Sequence, residues 1–377
     1  MPPINILIKP ASSACNLACR YCFYRDVAQN RAQAFEGMLS LERMREVIAA
    51  GMAYAEHICS FAFQGGEPTL AGLDFYREVV QLQKHYARPG IDIRNAIQTN
   101  GTLIDAEWAQ FFAENHFLVG LSLDGPAELH NLNRPDSQGH GSFQAVMRAV
   151  HLFEKYHVDF NILCVVTGKN ARSIEKIYRF YRKQGFRWLQ FIPCLEPIGQ
   201  KRGEAQYHLS PTTYGDFLIR LFDLWYEDLK HGTYISIRHL DNWMSILLGE
   251  RPEACNMAGQ CSVQFVIEGD GGVYPCDFYV LDAWRMGTVG ADSLAKMQQG
   301  EVAKRFIADS LHIPDACRAC RWGSLCRNGC RRDRMILPNG TVDQNYYCEA
   351  YRTFFAAREA QLLDAVHLVM ASECTNH

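Results

Sequence analysis

Short apolar runs alternate along the first half of the chain with longer stretches whose apolar positions recur every three to four residues. The runs Ile4–Ile8, Ser60–Phe63, Ala96–Thr99, Leu118–Leu123, Phe160–Val166 and Trp188–Ile192 read as strands. The stretches Leu41–Tyr54, Asp74–His85, Ala106–Asn115, Phe143–Tyr156 and Ala171–Gln184 read as helices between them. Strands separated by helical crossovers predict a parallel α/β sheet, either an open wound sheet or an incomplete barrel. Periodicity does not choose between the two. In both, ligands bind at the carboxyl ends of the strands. Polar turn residues fall at those ends. Cys15–Cys22 follows the first strand and Gln64-Gly65-Gly66-Glu67-Pro68 the second. Asn100-Gly101 follows the third and Asp124-Gly125 the fourth. The cysteine segment and the double-glycine turn are therefore predicted to share one face.

The pattern changes further on. Residues 203–249 are helical and aromatic, with Phe217–Leu229 and His239–Leu248 as the clearest pieces. After about residue 250 the chain becomes turn-rich and cysteine-rich. It holds one hairpin-like piece, Gln264–Ile267 and Val273–Tyr274 around Gly269-Asp270-Gly271-Gly272. This predicts two domains, 1–234 and 235–377, the second too poor in apolar runs to fold without staples.

Charge and composition narrow the class. The 377 residues are 48% hydrophobic and 21% charged, with a formal net charge of −3. No basic excess marks a nucleic-acid partner. No run reaches the roughly 18 apolar residues of a membrane span. Met1-Pro2-Pro3-Ile4-Asn5 lacks the zones of a secretory leader, so a cytoplasmic protein is expected. Fifteen cysteines in a reducing compartment point to metal or catalysis rather than disulfides.

Their spacing is more specific. Cys15, Cys19 and Cys22 form a C-x3-C-x2-C triplet, which suits a centre with one open coordination position. Cys255, Cys261 and Cys276 form a second group. Cys317, Cys320, Cys326, Cys330 and Cys348 form a third. The last two groups make eight thiolates, the number needed to ligate two four-iron clusters fully. A zinc ribbon remains open for the C-terminal set, because Cys317-x2-Cys320 with two later cysteines fits that spacing as well. Cys59, Cys164 and Cys194 sit in or beside apolar runs and read as small buried hydrophobes. Cys374 lies in a polar tail and reads as a dispensable thiol.

The triplet after a first strand, with a later Gly65-Gly66-Glu67-Pro68, resembles the radical S-adenosylmethionine (SAM) superfamily. Cys261-x9-Gly271-x4-Cys276, followed by Cys317 to Cys348, resembles its SPASM extension. A closer resemblance rests on Ile8–Ser13, Phe63–Leu70, Gln98–Leu103 and Tyr274–Tyr279. These segments are similar to anaerobic sulfatase-maturating enzymes, which oxidise a cysteine or serine of a sulfatase to Cα-formylglycine. The resemblance implies a partial (β/α)6 TIM-like radical SAM barrel with a C-terminal cysteine-rich SPASM domain.

It also implies roles. Cys15, Cys19 and Cys22 would hold a four-iron cluster whose open iron is chelated by SAM. Tyr21, Gly66, Ser122, Arg134 and Leu195 would contact SAM, Arg134 at its carboxylate and Leu195 near the adenine. Cys255, Cys261, Cys276 and Cys330 would hold a first auxiliary cluster, and Cys317, Cys320, Cys326 and Cys348 a second, for three clusters in all. Asp277 would be the base that takes the substrate's thiol or hydroxyl proton. The implied partners are a sulfatase polypeptide and a reducing electron donor such as flavodoxin or ferredoxin. Gln64, Tyr24, Arg238, His239 and Asp241 are candidate peptide contacts. A radical SAM/SPASM maturase of a small ribosomal peptide is the competing reading. Such enzymes often carry an N-terminal peptide-recognition domain, and a strand beginning at Ile4 leaves no room for one. A non-enzymatic iron–sulfur electron carrier is a third reading, disfavoured by the open-site triplet.

Overall fold

The computed structural model describes residues 4–338 and 340–375, with the side chains of 372–375 excepted. Met1–Pro3 and the side chain of Cys374 thus lie outside the described residues. In chain order the strands are β1 (Ile4–Ile8), β2 (Ile58–Phe63), β3 (Asp92–Thr99), β4 (Phe117–Ser122), β5 (Phe160–Val166) and β6 (Trp188–Pro193). They continue with β7 (Ser236–Ile237), β8 (Val266–Ile267), β9 (Gly272–Tyr274), β10 (Gly287–Thr288), β11 (Arg334–Ile336) and β12 (Val342–Asn345). The six strands expected from the apolar runs all form, with ends shifted by up to four residues.

The chain falls into two compact units. The first comprises residues up to Leu123, His130–Asn161 and Ser262–Phe306. In it β1 to β4 run parallel, with Ile6 opposite Phe61, Phe61 opposite Asn95 and Ile97 opposite Val119. Burial alternates along β1, where Ile4, Ile6 and Ile8 are covered and Asn5 is exposed. The crossover helices begin where short polar side chains satisfy their first amides. Ser40 accepts from the Arg43 N–H before helix Leu41–Tyr54, and Asp105 from the Trp108 N–H before helix Ala106–Glu114. Behind the strands an aromatic cluster closes the core. Phe63 meets Tyr76 at 5.1 Å, Tyr76 meets Trp108 at 5.3 Å, and Phe112 meets Phe117 at 5.4 Å between ring centroids. Each such buried ring contributes about 1.5–3 kcal/mol of hydrophobic stabilisation.

The hairpin read from the sequence is β8 and β9, paired antiparallel. It does not stand apart from the first strands. β8 lies parallel to β1, with Leu7 opposite Val266, and β10 completes that edge. The compact units therefore do not divide at 234/235. Residues 262–306 join the first unit because β8 satisfies the free hydrogen-bonding edge of β1.

The second unit comprises Asp124–Leu129, Ile162–Cys261 and Ile307–His377. β5, β6 and β7 run parallel in it, with Ile162 opposite Leu189 and Leu189 opposite Ile237. The single helix expected over 171–184 is two, Gly168–Arg172 and Ile174–Lys183, and Thr167 caps the first by accepting from the Asn170 N–H. A helix over Cys348–Thr375 packs on helix Pro211–Lys230. Phe354 meets Phe222 at 5.6 Å and stacks on Trp243 at 4.8 Å. Cys59, Cys164 and Cys194 are buried, as their apolar surroundings require. Among the described residues no helix is long and apolar enough to cross a membrane.

Candidate active site

The cysteine triplet lies in the loop after β1, and the chain fastens that loop at several points. The Ala18 N–H donates to the Pro135 carbonyl at 2.8 Å and the Arg20 N–H to the Asn133 carbonyl at 2.9 Å. Asn16 donates to Thr102 Oγ1 and accepts from Asn100 Nδ2, both at 2.8 Å, tying the loop to the end of β3. Cys15 lies within electrostatic reach of Cys19 and Cys22. Cys22 then starts the helix Phe23–Gln29. The predicted face is therefore real, since triplet, double-glycine turn and strand ends meet within one unit.

Gly65 and Gly66 have φ of 97° and 53°, a region that side chains avoid. A Cβ on Gly66 would stand 2.1 Å from the Ala14 carbonyl oxygen, one residue before Cys15. Glu67 is buried and fully bonded. Its carboxylate accepts from the Thr69 N–H, the Thr69 and Thr99 hydroxyls and the Asn100 N–H. Glu67 thus bolts the turn to β3. Gly66→Ala is expected to destabilise the protein by at least about 1–3 kcal/mol, read by urea denaturation.

Ser122 ends β4 and is buried. Arg134 is carried by the segment that pairs with the triplet loop, and its guanidinium lies 5.4 Å from the Tyr21 ring centre. Ser142 holds that segment by donating to the Arg134 carbonyl at 2.7 Å. Tyr21, Gly66, Ser122 and Arg134 therefore belong to one unit. Leu195 is in the second unit, two residues beyond β6 and half-buried.

Asp277 opens a turn immediately after Cys276 and is buried. Its Oδ2 accepts from the Tyr24 hydroxyl at 2.7 Å and from Gln64 Nε2 at 3.0 Å. Its Oδ1 has no hydrogen-bond partner. Burial pushes the carboxyl above the ordinary aspartate range, and the nearby Lys9 charge opposes that shift. Lys9 Nζ sits 5.2 Å from the Tyr24 ring centre and 3.3 Å from Glu268. Arg31 reaches the same Glu268 oxygen at 2.8 Å. Lys9, Arg31 and Glu268 were not singled out from the sequence. The available signal was charge in apolar company, Lys9 directly after β1 and Glu268 directly after β8. Glu268→Gln leaves two buried cations facing each other and is expected to cost about 3–5 kcal/mol in urea unfolding.

Among the other candidate contacts, Tyr24 and Gln64 stand at Asp277, whereas Arg238, His239 and Asp241 lie in the second unit. There Arg238 pairs with Glu253 at 3.0 Å, and Asp241 accepts from Tyr234 and Ser236 at 2.8 and 2.6 Å. These are satisfied local contacts.

Seven of the other cysteines form two groups in the second unit. Cys330 is within electrostatic reach of Cys255 and Cys261, while Cys276 belongs to the first unit. Cys326 is within reach of Cys317, Cys320 and Cys348, and its packed surroundings push its thiol up to about 12. Iron held by these sulfurs would offset that cost by favouring the thiolate. Buried Arg334 staples the loops between them, donating to the carbonyls of Asn328, Ser310, Gly259 and Gly329. Among the described residues no three His, Cys, Asp or Glu side chains converge as ligands of one metal ion. In a four-iron cluster each thiolate takes its own iron, so its sulfurs stand further apart.

Comparison with known proteins supplies the family. Residues 10–181 match the Radical SAM superfamily and residues 255–321 the SPASM iron–sulfur cluster-binding domain. The chain is thus a radical SAM protein with an α/β fold built on parallel strands, followed by a SPASM domain. It is 46% identical to a cysteine-type anaerobic sulfatase-maturating enzyme of Clostridium perfringens, over 97% of this chain and 99% of that protein. It is 33% identical to a serine-type enzyme of Bacteroides thetaiotaomicron, over 94% of this chain and 89% of that protein. A solved structure, native anSMEcpe with bound AdoMet and Cp18Cys peptide, superposes with a TM-score of 0.94 at 44% identity, covering 98% of this chain and all of that one. The chain belongs to the anaerobic sulfatase-maturating enzymes.

Proposed function

We propose that this enzyme oxidises a cysteine side chain in a sulfatase to Cα-formylglycine. Cysteine is favoured over serine because the identity to cysteine-type relatives is 46% and to a serine-type relative 33%. On the structural side the reading rests on Asp277, whose buried Oδ1 has no partner while Oδ2 is held by Tyr24 and Gln64.

In this reading Cys15, Cys19 and Cys22 hold a four-iron cluster, and SAM lies against Gly66, Ser122, Arg134, Tyr21 and Leu195. Bound there, SAM and the cluster supply a carbon-centred radical able to take a hydrogen atom from the substrate Cβ. Asp277 Oδ1 takes the thiol proton. Tyr24 and Gln64 fix the other oxygen, so the carboxylate cannot turn its free lone pairs away. The aldehyde forms after water displaces sulfur as hydrogen sulfide. The number and spacing of the remaining cysteines support two further clusters, which we assign to Cys255, Cys261, Cys276 and Cys330 and to Cys317, Cys320, Cys326 and Cys348. We place the functional division at 234/235, with SAM chemistry before it and the auxiliary clusters after it. A reducing donor such as flavodoxin or ferredoxin, and a cytoplasmic location, fit a protein whose described cysteines form no disulfide with one another.

The test is anaerobic reconstitution with iron and sulfide, then incubation with SAM, a reductant and a cysteine-bearing sulfatase peptide. Mass spectrometry is expected to find formylglycine alongside 5′-deoxyadenosine. Deoxyadenosine with an unmodified peptide would overturn the substrate assignment.

A further inference from the structure

Ser142 stands at the N-terminal boundary of the helix Phe143–Tyr156, where a serine hydroxyl ordinarily accepts from one of the first free amides. It makes no such bond here. The Phe143 N–H goes instead to Asn131 Oδ1 at 2.9 Å. Gly141 makes that reach possible, because a Cβ on it would stand 2.2 Å from Asn131 Cγ. The serine hydroxyl is thereby released for another task. It donates to the Arg134 carbonyl at 2.7 Å and lies 3.0 Å from His130 Nε2. A carbonyl only accepts, so the single hydroxyl proton is committed to Arg134. His130 Nε2 must then carry the proton of the second bond, which Ser142 Oγ accepts. The Arg134 N–H in turn donates to the His130 carbonyl at 3.0 Å, closing a ring of hydrogen bonds. His130, Ser142 and Arg134 are all buried, and the Phe143 ring meets the imidazole in a T-shaped contact at 5.9 Å.

From this arrangement we infer that Ser142 and His130 are positioning residues for SAM, which set the Arg134 guanidinium at a fixed distance from the cysteine triplet. The inference rests on reading Arg134 as the partner of the SAM carboxylate. On that reading SAM is held at two points, the open iron and the guanidinium fork. Attachment at two points rewards a fixed separation between them. The backbone supplies it. Asn133 and Pro135 give their carbonyls to the Arg20 and Ala18 N–H groups of the triplet loop, at 2.9 and 2.8 Å. The Arg134 carbonyl between them turns to Ser142. Arg134 is thus tied to the triplet loop through its two neighbours and to the helix start through itself. Its long side chain has rotamer freedom to lose, and the Tyr21 ring, 5.4 Å from the guanidinium, restrains the far end. Ser142 and His130 act through Arg134 alone. The ordinary rule for a helix start is given up at Ser142, and such local exceptions are expected where function is served.

The test uses two ligands that differ only in the group Arg134 would hold. Equilibrium binding of SAM and of decarboxylated SAM is measured on the full chain, reconstituted anaerobically with iron and sulfide. Iron content and the urea unfolding midpoint are recorded on the same samples. Ser142→Ala is expected to weaken SAM binding by about 10- to 100-fold, the usual effect of removing a group that orients a ligating one. Its binding of decarboxylated SAM is expected to match the parent's. Ser142→Thr keeps the hydroxyl and is expected to bind SAM as the parent does. His130→Phe keeps a ring, removes the donor, and is expected to show the same selective loss. In turnover the KM for SAM rises in proportion, while the KM for a cysteine-bearing sulfatase peptide stays. Parent-like SAM binding by Ser142→Ala overturns the proposal. So does an equal loss of both ligands, or a loss that Ser142→Thr does not restore, since either would give Ser142 a role in the fold alone. Arg134→Gln tests the reading beneath. If that variant binds SAM as tightly as the parent, Arg134 is not the carboxylate's partner and the functional assignment of Arg134 falls instead.

Discussion

Asp277→Asn is expected to leave SAM cleavage intact and to lower formylglycine formation by about 10²–10⁴-fold. The substitution keeps the shape of the side chain. It also keeps an acceptor for Tyr24 and a contact for Gln64, now at 2.7 and 3.0 Å. What it removes is the basic oxygen. A general base needs reach before it needs a tuned pKa, and Oδ1 is a buried acceptor with nothing yet bonded to it. The chain pays elsewhere for holding a carboxylate in that position. Burial favours the protonated acid, and Lys9 opposes this with a positive charge over the Tyr24 ring. The sign of the pH dependence follows. The carboxyl titrates above the ordinary aspartate value of about 3.9. Product formation then falls as pH drops through that raised value, because the protonated acid cannot accept the thiol proton. The asparagine variant lacks that acid limb. Initial rates of formylglycine and of 5′-deoxyadenosine, followed together by mass spectrometry across pH, check both statements. Product at the parent's rate would remove Asp277 from the mechanism.

The parts of this site that the sequence displayed are those whose chemistry is local. Cys15, Cys19 and Cys22 announce themselves by spacing, and Gly65-Gly66 by a turn that only glycine fits. The strands were legible because buried parallel strands are continuous apolar runs. The Lys9–Glu268–Arg31 network was not, because it joins residues 259 positions apart between Lys9 and Glu268, and pairing across that distance leaves no period to read. The same holds for the pairing of β8 with β1, since the hairpin of β8 and β9 was readable but its parallel neighbour was not. The helix Cys348–Thr375 escaped for a different reason. Its apolar residues do not keep to one stripe, since Phe354 and Phe355 are both buried and point to different neighbours. A helix covered on more than one side loses the amphipathic signal. Arg334 was hidden too, as a single buried guanidinium donating to four carbonyls looks like any surface arginine in sequence.

Cys19→Ala is expected to abolish SAM cleavage and formylglycine formation together, while about two thirds of the iron remains bound if three four-iron clusters are present. The middle cysteine of the triplet has no understudy. Asn100 approaches Cys15 at 3.9 Å, and the amide and hydroxyl groups of Asn16, Asn100 and Thr102, engaged with one another, do not replace a thiolate. Two thiolates cannot hold a cluster that already leaves one iron without a protein ligand. The loop itself should survive, because its anchors are backbone bonds from Ala18 and Arg20 rather than sulfur. The outcome therefore separates chemistry from folding. The far-ultraviolet spectrum and unfolding midpoint stay close to the parent's, the radical cluster's signal disappears from the reduced electron paramagnetic resonance spectrum, and 5′-deoxyadenosine falls to background. Cys348→Ala gives the opposite pattern under the same reading, with SAM cleavage retained and the auxiliary signal lost. Deoxyadenosine released by the Cys19 variant at the parent's rate would show that the triplet is not where SAM is cleaved.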